Sequence, residues 1–202
     1  MQPNESDFPK NLKHYTSLDN LIAILYNKKL HLGDPDNWED KNDIASVQAY
    51  VRQRGVPVKV LCLTYEEETV HHWNTYAKGA AGCRIDFSNS LFKERLESVP
   101  NLVFRKMEYV KRPFDLSPYT VEDYPFLKRQ PYQCDKEFRI VWAGNGDPPT
   151  IPIEGVIKRV TLSPHTKEHT ETAIRQLLKE TYHIEEVCKS AVLDYDEWTR
   201  LF

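Results

Sequence analysis

The sequence predicts a mixed fold in which β-strands and α-helices share a core, and three observations carry that reading. From Phe138 to Trp142 the residues are β-branched or aromatic and are bounded by Gly144 and Gly146, the pattern of an interior strand. Leu18, Leu21, Ile22 and Leu25 recur at i, i+3, i+4 and i+7, the period of an amphipathic helix. Segments of both kinds follow one another along 202 residues, of which 40% are hydrophobic and 11% aromatic, enough to build a substantial core without disulfide staples.

Residues 1–11 read as a flexible polar arm and 12–202 as one domain. Leu12–Thr16 predicts a short strand, and Ser17 offers an N-cap for the helix that begins at Leu18. Lys28 and Lys29 sit where a helix C-terminus favours positive charge. Leu30–Leu32 resumes extended structure, Gly33–Asn37 is a turn, and Trp38–Asp43 a polar loop. A second helix is expected over Ile44–Gln53, stopped by Gly55 and Pro57. Val58–Tyr65 has the apolar density of an interior strand. Glu66–Glu68 are expected to open a helix that runs through Val70, Trp73 and Ala77. Cys83–Phe87 alternates like a strand, Ser90–Glu97 forms a short helix, and Leu102–Val110 forms another strand. Four prolines between Lys111 and Pro131 predict a long irregular connection containing a short helix, a kind of segment that often serves binding. Val156–Leu162 is a further strand. Thr166 is expected to cap a helix bearing a Glu171–Arg175 pair, and Ser190–Leu193 to close as a strand.

Composition excludes several classes of protein. A net charge of −3 and a pI near 6.2 leave no global basic field, so a nucleic-acid partner would need a local patch. The four cysteines are scattered without a C-x-x-C pair, which argues against zinc and for a reducing, cytoplasmic address. The first residues lack a signal-peptide pattern, and no apolar run approaches membrane-spanning length. No G-x-G-x-x-G or P-loop motif occurs, which argues against a dinucleotide or P-loop site of those kinds.

The stretch Asp135-Lys136-Glu137-Phe138-Arg139 carries the strongest chemical signal. If extended geometry begins at Asp135, side-chain alternation puts Asp135, Glu137 and Arg139 on one face. Two carboxylates and a guanidinium would then share the mouth of a buried strand. The plainer alternative is a Glu137–Arg139 surface ion pair that contributes little.

Three segments, in this order, resemble a large bacterial family of uncharacterised domains. They are His14-Tyr15-Thr16 with Lys29-Leu30-His31-Leu32; Leu61-Cys62-Leu63-Thr64 with Trp73-Asn74-Thr75-Tyr76-Ala77 and Gly82-Cys83-Arg84-Ile85-Asp86-Phe87; and Asp135-Lys136-Glu137-Phe138-Arg139. The family pattern runs H/K-Y-x-S/T, L-x-L-S-x-P, C-F-S, W-x-x-Y-A, G-x-x-I-x-F and E-x-E-W/F-R, and the match spans residues 12 to 195. This family is similar to a branch of the ADP-ribosyltransferase superfamily. The chain departs from the pattern at Asp135, one methylene shorter than the usual glutamate, and in the loop after Leu32.

That resemblance implies an α+β fold: a mixed, mostly antiparallel split sheet with flanking helices. It implies a mono-ADP-ribosyltransferase with NAD as substrate and no metal. Glu137 and Asp135 take the catalytic positions. His14, Tyr15, Thr16, Trp73, Tyr76 and Arg139 take the NAD-binding ones, with Tyr76 or Trp73 as the aromatic and Arg139 facing the pyrophosphate or holding Glu137. Breaking the nicotinamide–ribose bond develops positive charge on the sugar, and a carboxylate on the adjacent hydroxyl stabilises it as it forms.

The expected acceptor is nucleic acid, RNA before single-stranded DNA. Arg105-Lys106 through Lys111-Arg112, with Tyr109, Tyr119, Tyr124 and Tyr132, would form a groove in which bases stack; Lys158-Arg159 is a second basic stretch. Alternatives are a protein acceptor, a hydrolase acting on NAD itself, and a non-catalytic nucleotide-binding module. A toxin or phage-defence role, with an antitoxin protein as partner, follows from the class and from no residue.

Overall fold

The computed structural model describes residues 8–77, 79–194 and 199–201, so residues 1–7 of the expected arm lie outside the described residues. In chain order the elements are β1 (Lys13–Ser17), α1 (Leu18–Asn27), β2 (Lys29–His31), α2 (Lys41–Arg54), β3 (Val58–Thr64), α3 (Val70–Tyr76), β4 (Gly82–Phe87), α4 (Asn89–Ser98), β5 (Leu102–Lys106), β6 (Glu108–Val110), β7 (Leu127–Arg129), β8 (Glu137–Ala143), β9 (Thr150–Pro152), β10 (Ile157–Leu162), α5 (Glu168–Tyr182) and β11 (Val187–Lys189). Short 3-10 segments cover Pro35–Asn37, Val121–Phe126 and Gln130–Asp135. The protein is therefore mixed α+β, with antiparallel strand pairs in the majority.

The chain divides into two compact units. One comprises residues 8–12, Lys29–Glu66 and Asn89–Pro152. Its centre is β8, which pairs antiparallel with β3 on one edge and β5 on the other. Every residue of β8 from Glu137 to Trp142 is buried, as an interior strand requires. Phe138 receives the ring of Phe8 at 5.3 Å. On the opposite face Val141 joins Val47, Val58, Val60, Met107 and Phe126 in a core cluster. Two small ribbons complete this unit: antiparallel β2–β9 and parallel β6–β7.

The other unit comprises Lys13–Lys28, Glu67–Ser88 and the described residues from 153 on. Here β4 lies between β1 and β10, antiparallel to both, and β11 extends the sheet parallel to β10. Ser17 caps α1 as the sequence predicts, accepting the Asn20 N–H at 3.1 Å. Tyr15, Trp73 and Ala77 form a small core.

Several boundaries move for identifiable reasons. α2 starts at Lys41 because Asp40 caps it, accepting the Asn42 N–H at 2.9 Å, which pulls Asp43 out of the expected loop into the first helical turn. α3 starts after the glutamates because Thr69 supplies the cap. α5 starts at Glu168, not at a Thr166 cap; Thr166 is buried and donates to the Ala80 carbonyl. The expected strand Leu102–Val110 breaks at Met107, whose N–H goes to the Glu137 carbonyl. The closing strand is Val187–Lys189 and not Ser190–Leu193. β9, beside the Pro148-Pro149 loop, had no sequence signal.

Gly82 opens β4 at a position with no room for a side chain: a Cβ there would overlap the Ala77 carbonyl that ends α3. Gly82→Ala is therefore expected to destabilise the protein by about 2 kcal/mol, through forced backbone displacement. Chemical denaturation with an unchanged midpoint would contradict this.

Candidate active site

Glu137 opens β8, and the neighbouring chain fixes where it starts. Thr64 Oγ1 donates to the Asp135 carbonyl at 2.6 Å. The Tyr65 N–H donates to the Lys136 carbonyl at 3.0 Å. The Glu137 N–H donates to Tyr109 Oη at 2.9 Å. Between the two carboxylates Lys136 is left-handed, with φ 44°, and Asp135 belongs to the preceding 3-10 segment. The extended geometry expected from Asp135 onward therefore begins only at Glu137, and strand alternation does not place Asp135.

Asp135 nevertheless reaches the same cluster by another route. The Lys128 ammonium, carried by β7, lies 3.0 Å from Asp135 Oδ2, 2.9 Å from Glu137 Oε2 and 3.6 Å from Asp43 Oδ2. Arg139 Nε donates to Glu137 Oε1 at 2.5 Å and Nη2 to Asp43 Oδ2 at 2.5 Å, while Nη1 donates to the Pro125 carbonyl at 2.9 Å. The guanidinium also lies over the Trp38 ring, 4.7 Å from its centroid. Five ionisable side chains from α2, β7, the 3-10 segment and β8 thus meet in one cluster. With Arg139 0% exposed and Glu137 5%, the pair is not the solvated surface contact that residue statistics favour.

Electrostatics differ across this cluster. Burial pushes the Glu137 carboxyl upward, but the fields and hydrogen bonds of Arg139 and Lys128 outweigh it and hold its pKa down at about 2. Asp43 moves the other way: burial raises it, Glu137 adds to the rise, and Arg139 and Lys128 offset only part. Burial also pushes the nearby Cys62 thiol up, with the Glu137 charge adding to it. The outcome is a glutamate that stays ionised in a dry setting, where charge acts strongly on whatever is brought against it.

The other expected residues lie in the second unit. His14 and Thr16 share one side of β1 and Tyr15 the other, since side chains alternate. His14 is half-buried, and Thr16 Oγ1 is engaged locally by Asn20 Nδ2 at 3.1 Å. Tyr15 is buried against His72 and Trp73, ring centroids 5.3 and 5.1 Å away; burial pushes its phenol up to about 12, with Arg84 pulling back. Trp73 is 3% exposed and donates Nε1–H to Glu68 at 2.6 Å, so its contacts are those of a core residue. Tyr76, at 41% exposure, is the accessible aromatic of α3. Arg139, expected among the NAD-binding residues, is instead taken up by Glu137, Asp43 and Pro125; of its two expected roles, holding Glu137 is the one its contacts fill.

The basic, aromatic stretch also rearranges. Arg105 pairs with Asp123 and covers Phe126, Tyr119 donates to Glu108, and Tyr109 is tied to Glu137. Arg159 pairs with Glu186. Beside that stretch lies a cleft of about 240 Å³ lined by Val110, Arg112, Phe114, Arg129, Gln130 and Pro131.

Sequence reasoning missed Asp43 and Lys128. Asp43 was findable, because Asp40 three residues earlier is a helix cap; Lys128, in a proline-rich connection, had no local signal.

No family model matches the chain, and no curated protein matches it. The chain is similar to solved structures of DarT from Thermus sp. 2.9. Against DarT in complex with NAD+ the TM-score is 0.49 at 15% identity, covering 94% of this chain and 98% of that one. Against DarT in complex with ADP-ribosylated ssDNA it is 0.48 at 16% identity, covering 94% and 97%.

Because the folded pKa of Glu137 lies below its ordinary 4.5, its stabilising contribution is complete above that value and fades as pH falls toward about 2. Asp43, with a raised value, opposes this. Glu137→Gln takes from Arg139 and Lys128 their charged contacts at 2.5 and 2.9 Å and is expected to cost about 3 kcal/mol at pH 7, with the loss shrinking as pH falls from 4.5 toward 2. Urea unfolding across that range checks this; a penalty independent of pH would contradict it.

Proposed function

We propose that residues 12–202 form a single NAD-dependent mono-ADP-ribosyltransferase domain in which Glu137 is the carboxylate that meets the ribose. One observation carries the reading. The glutamate that the resemblance assigns to the chemistry stands at the start of β8, the buried central strand of its unit, charged and held at both oxygens. A charge fixed in direction before substrate arrives needs little reorganisation as the nicotinamide bond breaks. His14 and Tyr76 are the NAD-binding side chains in this reading, with Tyr76 preferred to Trp73 because it is accessible.

The acceptor is nucleic acid, RNA before single-stranded DNA. The cleft beside Arg112, Phe114 and Arg129 supports this: Phe114 offers a face for a base, and the two guanidiniums suit the backbone phosphates. A toxin or phage-defence setting in the cytoplasm, with an antitoxin that restrains the enzyme, belongs to the same reading.

A second reading, a binding module without turnover, is favoured by one fact: Arg139 and Lys128 occupy both oxygens of Glu137. Labelled NAD incubated with RNA, single-stranded DNA and protein separates the two. The expected result is label on nucleic acid with nicotinamide release. Folded Glu137→Gln should be slowed at least about 100-fold, the scale of losing a transition-state charge contact. Arg112→Ala/Phe114→Ala should bind single-stranded RNA about tenfold more weakly, with Glu137 untouched. NAD binding without nicotinamide release would support the module, and label transfer unaffected by Glu137→Gln would end the catalytic assignment.

A further inference from the structure

Lys128 has no counterpart in the motifs, yet it reaches three carboxylates of the cluster. It stands directly opposite Tyr109 in the parallel β6–β7 ribbon. Paired residues of neighbouring strands project to the same face, so this single register brings two groups to Glu137. Tyr109 Oη accepts its N–H at 2.9 Å, and the Lys128 ammonium holds its Oε2 at 2.9 Å. Arg139, two residues along β8, holds Oε1. One contact at one oxygen leaves a carboxylate free to turn about its terminal torsion; a contact at each oxygen fixes its plane.

We propose that Lys128 is the positioning residue of this site: reached from β7, its one ammonium gathers Asp135 and Glu137 and fixes the direction and charge of the Glu137 carboxylate. As a statement about catalysis this rests on the reading of Glu137 given above; as a statement about the cluster it stands on geometry. Within this unit the titratable and charged groups around the cluster include Asp43 on α2, Cys62 on β3, Tyr109 on β6, Arg139 on β8, and Tyr132, Cys134 and Asp135 on the 3-10 segment, with the Tyr132 ring 5.0 Å from the ammonium. Lys128 and Arg139 are two cations set against three carboxylates, Asp43, Asp135 and Glu137. Without Lys128, the buried carboxylates of Asp135 and Glu137, which its ammonium now meets at 3.0 and 2.9 Å, would be close neighbours without that charge between them. Carboxylates so placed cannot all stay ionised, and the group takes up a proton.

The test compares wild type, Lys128→Met, Lys128→Arg and Lys128→Met/Asp135→Asn. Folding stability is followed by urea unfolding between about pH 5 and 7, and nicotinamide release over the same range. A proton bound by the folded cluster and not by the unfolded chain makes stability fall as pH rises. Lys128→Met is thus expected to lose about tenfold in its folding constant per pH unit relative to wild type, and the acid limb of its turnover should move toward neutrality. Lys128→Arg should restore the wild-type profile, and removing Asp135 as well should cancel the shift. If Lys128→Met does not fold alone, the double variant, in which the lost cation is matched by a lost carboxylate, is expected to fold. A Lys128→Met protein with wild-type pH dependence, or a double variant no better folded than the single one, would overturn the proposal. Wild type that releases no nicotinamide would count against the NAD reading alone, since the stability arm still decides the pairing.

Discussion

A buried ion pair two residues apart on one strand, Glu137 with Arg139, is the constraint around which the first unit is arranged. Removing two charges from water costs several kcal/mol per ion, and the fold recovers that only if every polar atom finds a partner. The surrounding elements meet most of that demand, with Asp43 Oδ1 left buried and without a hydrogen-bond partner among the described residues. α2 places Asp43 in its first turn against the guanidinium, the 3-10 segment before β7 turns its Pro125 carbonyl inward, Trp38 covers the guanidinium face, and β7 delivers Lys128. Such a cluster is weak evidence for stability, because apolar residues of the same volume often do as well. A fully buried arginine therefore points to a requirement for charge at this place.

The same cluster explains how a proline-rich connection can be ordered. Between Lys111 and Pro131 the chain has little periodicity, and a composition-based reading leaves it as loop. In the structure, Arg105 with Asp123, Arg139 with Pro125, and Lys128 with three carboxylates tie it down. Its free edge, at Arg112 and Phe114, keeps the exposed aromatic and the cations that the binding reading uses.

Local patterning revealed the elements that it governs. The apolar run of β8, the Ser17 cap of α1 and the Glu171–Arg175 pair of α5 were all legible, because each depends on residues close in sequence. Glu137 and Arg139 were legible as partners for the same reason. Asp135 was placed near them by a strand geometry that Lys136 breaks; it arrives there through Lys128, a contact made by tertiary structure that no spacing encodes. The residues expected to bind NAD differ in their surroundings by the same logic. Alternation separates Tyr15 from His14 and Thr16, and Trp73 satisfies its indole N–H internally. Residues chosen by motif order thus divide into accessible ones, His14 and Tyr76, and ones the fold has used for packing.

The charge on Glu137 is the property on which the architecture of the cluster depends, and with it the chemistry proposed for the site. It is tested most directly by following the side-chain carboxyl carbon of Glu137 by isotope-edited NMR as pH is lowered, with the resonance identified by its loss in Glu137→Gln. Titration near pH 2, well below the ordinary value of 4.5, is the expected result. A midpoint at or above 4.5 would mean that Arg139 and Lys128 do not hold the carboxylate, and would contradict the site as described.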